Sequence, residues 1–236
     1  MADKKVEKAL YGPSTAEVAL GAILGLVVGV VAASVYLVFK PVMVVKELPK
    51  EPVRGAVYYV PGSEAGAKNK GWAAKQKQFA SGTSVEVIED ELNAWGATLG
   101  AAPAAPAAAP KAGAPAPAAA PAANADGGIL QPGTPNFKIA DGKLRIGFKC
   151  LLNWYGLSHE VFVITTGGFQ RSGDKFVFKP ESLYLGSCPL HLLPGVADPL
   201  FGHFLGKKPV PDEIKSAWAK LGDVTIEGST LKLTVQ

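Results

Sequence analysis

The stretch VALGAILGLVVGVVAASVYLVF, residues 18–39, holds 22 residues without a charge. Such a run, folded as a helix, is long enough to cross a hydrocarbon core about 30 Å thick. A cleaved signal peptide would show a shorter apolar run ending in a small-residue cleavage site, whereas here Tyr36, Phe39 and Lys40 form an interfacial collar ahead of Pro41. The run therefore reads as an uncleaved membrane anchor. STAE, Ser14–Glu17, has the spacing of a capping box and predicts a helix starting near residue 15.

Orientation is not decided by counting cations. Lys4, Lys5 and Lys8 precede the span, and Lys40, Lys46, Lys50 and Arg54 follow it. A spacer and a strand-rich, cysteine-containing unit suit the far side, so the expectation is an inner (cytoplasmic) membrane protein. It has a cytoplasmic tail at 1–16, a single transmembrane helix at 17–40 and an extracytoplasmic C-terminal domain. Within the span Gly21, Gly25 and Gly29, then Ala33, recur on one helix face, the pattern that lets a second helix approach closely. Glycine is also simply frequent in membrane helices.

Residues 41–64 carry four prolines and the run AVYYV, which predicts an extended juxtamembrane arm with one strand. Residues 65–99 read as a helical segment. AGAKNKGWAAKQKQFA is basic, with Trp72 and Phe79 on one face, suited either to anionic headgroups or to the chain's own domain. Beyond it, Ile88, Leu92, Trp95 and Leu99 form one helix stripe. So short a helix is not stable alone in water, and the stripe is expected to dock on the domain that follows the linker. Residues 100–135 are that Ala/Pro-rich linker: residues 101–123 hold fifteen Ala and six Pro. Proline denies the tract a helix, and it is expected to be disordered. Loop closure costs only logarithmically more with length, so the tract can interrupt a domain without dividing it.

Residues 136–236 alternate as antiparallel strands. Asp141-Gly142 marks a hairpin, and Leu144, Ile146, Phe148 and Cys150 share one face. Ile214, Ala217, Trp218 and Leu221 have helical spacing. The fold class is α+β: an antiparallel curved sheet with packed helices behind a single transmembrane helix.

Chemistry is sparse. His159, His191 and His203 sit among apolar neighbours without metal-ligand spacing, and Cys188/His191 is half a zinc site at best. No nucleophile elbow, phosphate loop or HExxH occurs. The acids of EDEL are explained by the helix macrodipole. No catalysis, cofactor or metal is expected. The net charge of +4 is too dispersed for nucleic acid. Cys150 and Cys188 are read either as a disulfide or as two buried thiols.

KGWAAKQKQFASGTSVEVIEDELNAW and FKPESLYLGSCPLHLLPG resemble hypothetical membrane-anchored proteins of verrucomicrobial bacteria. More distantly, the helix with ELN, the long strands, Leu185-Gly186 followed by Pro189 to Pro194, a helix and a last hairpin look like small single-pass proteins related to tubular lipid-binding domains. That resemblance implies a curved sheet wrapping a helix, with a groove for acyl chains. The chain differs from them in its Ala/Pro insertion and in lacking a long amphipathic helix. The expected function is an extracytoplasmic binding module for a lipid or other apolar ligand, lined by Phe148, Phe162, Phe176 and Phe178. The alternative is a structural or assembly subunit, whose partners would be the bilayer and a helix paired on the glycine stripe.

Overall fold

The structure, a computed structural model, describes residues 12–63, 71–100, 130–154, 157–193, 195 and 211–235. It is mixed α+β, with one long apolar helix near the N-terminus and antiparallel sheets. Helix α1 runs Thr15–Phe39, 25 residues with an 18-residue stretch at a mean hydropathy of 2.6, long and apolar enough to cross a membrane. Its capping box forms: the Glu17 amide donates to Ser14 Oγ at 3.3 Å and the Ser14 amide to Glu17 Oε2 at 3.2 Å.

Strands β1 (Met43–Val44) and β2 (Tyr58–Tyr59) pair in parallel within the juxtamembrane arm. Helix α2 (Gly71–Ala80), strand β3 (Val85–Ile88) and helix α3 (Glu89–Gly100) follow. After the Ala/Pro tract come β4 (Leu130–Pro132), β5 (Asn136–Ala140), β6 (Lys143–Trp154), β7 (Leu157–Ser172), β8 (Lys175–Leu185) and β9 (Cys188–Pro189). Helix α4 (Asp212–Ala219), β10 (Leu221–Glu227) and β11 (Thr230–Val235) close the chain.

The large sheet has order β4-β6-β7-β8-β9, with β5 also paired to β6. The β5–β6 turn places Asp141 at φ 55° and Gly142 at φ 68°. Both residues lie in the left-handed region a two-residue hairpin requires, which Asp tolerates and Gly adopts freely. A second sheet has order β10-β11-β3, in which Val85–Ile88, from before the tract, pairs antiparallel with Thr230–Leu233. Loop-closure entropy rises slowly with length, so a pairing so distant in sequence is affordable once both strands have apolar faces to bury.

Alternation sends Leu144, Ile146, Phe148 and Cys150 of β6, Val161 and Val163 of β7 and Leu183 and Leu185 of β8 to one inner face. Phe79 of α2, Leu92 of α3, Ala217 of α4, and Val85, Val224, Leu231 and Leu233 of the small sheet complete the same core. Ile88 departs from the expected stripe: it ends β3 and is 41% exposed. The apolar period changes from two to 3.6 at that residue, so a stripe drawn through it mixes strand and helix. Leu221 likewise opens β10 and does not extend α4. The Trp72/Phe79 helix lies against the domain, with Phe79 buried and edge-on to Trp218 at 6.4 Å.

Candidate functional site

Two junctions tie the N-terminal half to the large sheet. The first is at the end of α1. A helix leaves its last carbonyls without intrahelical partners, and here the domain supplies them. The Ser187 amide donates to Leu37 O at 2.9 Å, and Ser187 Oγ donates to Lys40 O at 3.2 Å. Gly186, at φ 58°, sits so close that a Cβ would fall 2.1 Å from Val38 O. Glycine is needed there twice over, for the left-handed backbone and for the absent side chain. Ser34, Leu37 and Val38, at i, i+3 and i+4, turn one face of α1 toward β9. Leu37 and Val38 pack on the core, and Ser34 hydrogen-bonds the Cys188 side chain. Burial pushes the Cys188 thiol up, partly offset by that hydrogen bond. The ring of Phe39 meets His159 edge-on at 5.2 Å.

The second junction joins α3 and the arm to the edge of β5. Asn93, 2% exposed, donates from Nδ2 to Phe137 O at 2.9 Å and accepts the Phe137 amide at Oδ1 at 2.6 Å. One turn earlier, Glu89 Oε2 accepts the Ile139 amide at 2.9 Å, and its Oε1 the Ser63 amide at 2.7 Å. The i, i+4 spacing of Glu89 and Asn93 thus matches the i, i+2 spacing of the outward amides of β5, and the helix saturates a strand edge that would otherwise be open. Asn136 Oδ1 accepts from both Gly62 N at 2.7 Å and Tyr59 Oη at 2.9 Å. Glu91, also buried, accepts from Lys75 Nζ at 2.7 Å and from Ile88 N at 3.0 Å. Glu89 and Glu91 of EDEL thus hold backbone amides and Lys75, a role their place at a helix start does not disclose. Leu92 enters the core and Trp95 stacks on Phe137 at 6.4 Å, while the side chain of Leu99 lies outside the described residues.

Three of the four phenylalanines expected to line a groove share the inner face of the sheet, and the fourth does not. Phe148 and Phe176 are buried in the core, Phe178 packs beside them, and Phe162 projects from the opposite face, tilted against Tyr59 at 5.4 Å. Even and odd positions of one strand face opposite ways, and Phe162 pairs with Lys149, not with Phe148. The disulfide alternative also fails. Cys150 and Cys188 are both buried, and they are not joined in a disulfide. They stand on β6 and β9, three strand spacings apart or about 14 Å, beyond the reach of a disulfide. His191 is held by the Leu183 backbone through Nδ1, and its ring lies edge-on to Tyr184 at 5.1 Å. His203 lies outside the described residues. Gly21, Gly25 and Gly29 face open space on α1.

Among the described residues no group of three His, Cys, Asp or Glu side chains is placed to hold a metal. Comparison of the chain with family models, with curated proteins and with solved structures finds no match.

Proposed function

We propose that this chain is a single-pass membrane protein whose extracytoplasmic α+β domain serves as a structural module, held in a fixed pose against the bilayer to assemble a partner there. The observation that carries this reading is the capping of α1 by the Gly186-Ser187 turn. A domain tethered only for proximity needs nothing more than a flexible linker after its anchor. Here the last helical turn is part of the domain's own packing. That leaves Thr15–Ala33, nineteen residues or about 28 Å of helix, for the hydrocarbon layer. The helical, docked state of residues 34–39 also argues against cleavage at the small residues Ala32, Ala33 and Ser34, so the anchor reading is favoured over a signal sequence.

Binding of an apolar ligand stands second. Its motive was an excess of apolar strand faces over helices able to cover them. Helices α2, α3 and α4 with the small sheet take up much of the inner face, and Phe148, Phe176 and Phe178 are packed in or against that core.

Native mass spectrometry of the full-length chain, released from membranes in mild detergent, separates the readings. A stoichiometric protein complex, lost in Gly186→Ala while the variant stays in the membrane, is the expected result. A monomer with a retained lipid adduct would replace the structural reading with the ligand-binding one. An alkaline phosphatase fused after Gln236 should be active; an inactive fusion would reverse the orientation.

A further inference from the structure

The outer face of the large sheet has a different chemistry from the inner one. In the register of β5 with β6, Lys138 lies directly opposite Arg145, and in that of β6 with β7, Arg145 lies opposite Thr166. Thr166 in turn pairs with Ser182 of β8. These four residues form one row across four strands, all half-buried. Like charges directly opposite each other on a sheet repel. Yet among the described residues neither Lys138 nor Arg145 has a carboxylate partner, while their neighbours do: Lys143 pairs with Glu181 at 2.5 Å and Lys149 with Glu160 at 3.3 Å.

Three members of the row, Arg145, Thr166 and Ser182, line a surface cavity of about 240 Å³ together with Tyr58, Tyr184 and Ile164, while Lys138 stands beside Arg145 outside its walls. No acidic residue lines it. Its polar groups are donors with hydrogens to spare. Arg145 brings a five-donor fork. The hydroxyls of Thr166, Ser182 and Tyr184 donate to no other described residue, and Tyr58 Oη accepts from Val53 N, leaving its own proton free. The neighbouring Tyr59 ring fills the space above Gly147, where a Cβ would fall 2.2 Å from it, and so holds the arm beside this row.

We propose that this row is an oxyanion site, and that Arg145 and Lys138 together take a phosphate monoester group. Two facing cations match a group carrying close to two negative charges, where a carboxylate would neutralise one. Guanidinium fork and hydroxyls approach from several directions, as three phosphate oxygens demand. The apolar side of the cavity at Ile164 receives the organic part of the ester. The phosphate reaches the site either from a soluble ester or from a lipid headgroup. Ser182 lies four residues along β8 from Gly186, about 13 Å above the end of the membrane helix. This inference is independent of the structural reading above.

The test uses the full chain in phosphatidylcholine nanodiscs, titrated with inorganic phosphate at constant ionic strength and followed by tryptophan fluorescence during thermal unfolding. Binding to the folded chain gives a saturable rise in melting temperature that chloride does not reproduce. Arg145→Gln should weaken phosphate at least about ten-fold, the loss of a charge-assisted contact. Lys138→Gln should weaken it several-fold, and Lys149→Gln not at all. In phosphate-free buffer both Gln variants at 138 and 145 should melt no lower than the native chain, because each relieves the repulsion. A phosphate effect equal to that of chloride, or one unchanged in both Arg145→Gln and Lys138→Gln, overturns the proposal. Discs containing phosphatidic acid then distinguish the sources. If added phosphate no longer shifts melting there, a headgroup already occupies the site; if it shifts as before, the site takes a soluble ester.

Discussion

Helices α1 and α3 are both delivered to the large sheet from the N-terminal half, and they are attached by opposite means. Helix α3 is amphipathic and reaches out with side chains: Glu89 and Asn93 seize the amides of β5, and Leu92 and Trp95 enter or cover the core. Helix α1 is apolar nearly all round and has almost no polar side chains to offer. What it can offer are the orphan carbonyls of its last turn, and the domain reaches back to them with Ser187. A helix with apolar side chains nearly all round can still join a domain through its backbone end, because that end is its polar part.

The difference is sharpest at Asn93. Alanine there leaves the Phe137 amide and carbonyl buried without their partners, at a cost of about 3 kcal/mol. We expect a fall in melting temperature of roughly 6–12 °C, measurable by circular dichroism of the full chain in detergent. A loss no larger than a surface substitution's would show that α3 is a stalk resting on the domain and not a part of it.

Gly186→Ala is expected to cost about 2 kcal/mol, combining a left-handed alanine with a Cβ against Val38 O. The more specific readout is hydrogen exchange of the Ser187 amide, which should speed up while the amides of β6 and β7 stay protected. Unchanged exchange at Ser187 would mean α1 is not capped by the domain. Trp95→Ala, which removes a half-buried ring stacked on Phe137, should cost about 2 kcal/mol, or several degrees. If residues 129–236 fold alone with native melting, that prediction fails together with the one for Asn93.

Tyr59 belongs to neither helix but locks the arm between them. Its phenol is pushed up to about 12 by burial, partly offset by the Arg145 guanidinium. A folded value above the unfolded 10 means the folded chain holds this proton more tightly. Its contribution is therefore complete below pH 10 and lost as pH rises toward about 12. Tyr59→Phe should lose about 1 kcal/mol near neutrality with the bond to Asn136, and should melt with a shallower decline between pH 9.5 and 11.5. Parallel curves for the two chains would refute this. The smallest effect is expected in the linker. Deleting Ala114–Ala123 should change stability by only a few tenths of a kcal/mol, as loop closure depends on the logarithm of length.

Locally encoded features were readable from residues alone. The long apolar helix, its capping box, the Asp141-Gly142 hairpin and the inward set Leu144, Ile146, Phe148 and Cys150 each follow from a charge-free run, a side-chain spacing or a period of two. The assignment of Ile88 to the α3 stripe and the pooling of Phe162 with Phe148 went astray where a period changes or where two faces of one strand must be told apart. The candidate site was less legible. EDELN is an acidic helix start in any context, and only the arrival of β5 makes Glu89 and Asn93 its clasp. Lys138 and Arg145 stand seven residues apart, and the hairpin register alone sets them face to face.

The sequence by itself determined the elements, because each depends on interactions within a few residues: hydropathy, caps, turn preferences, alternation. Tertiary structure alone decided the pairings: β3 with β11 across the Ala/Pro tract, Gly186-Ser187 against the end of α1, and Cys150 three strands from Cys188. The physical reason is the weak dependence of closure entropy on chain length. It leaves many distant pairings nearly equal in cost, so the choice among them falls to complementarity of buried faces and backbone edges, which no short window of residues contains.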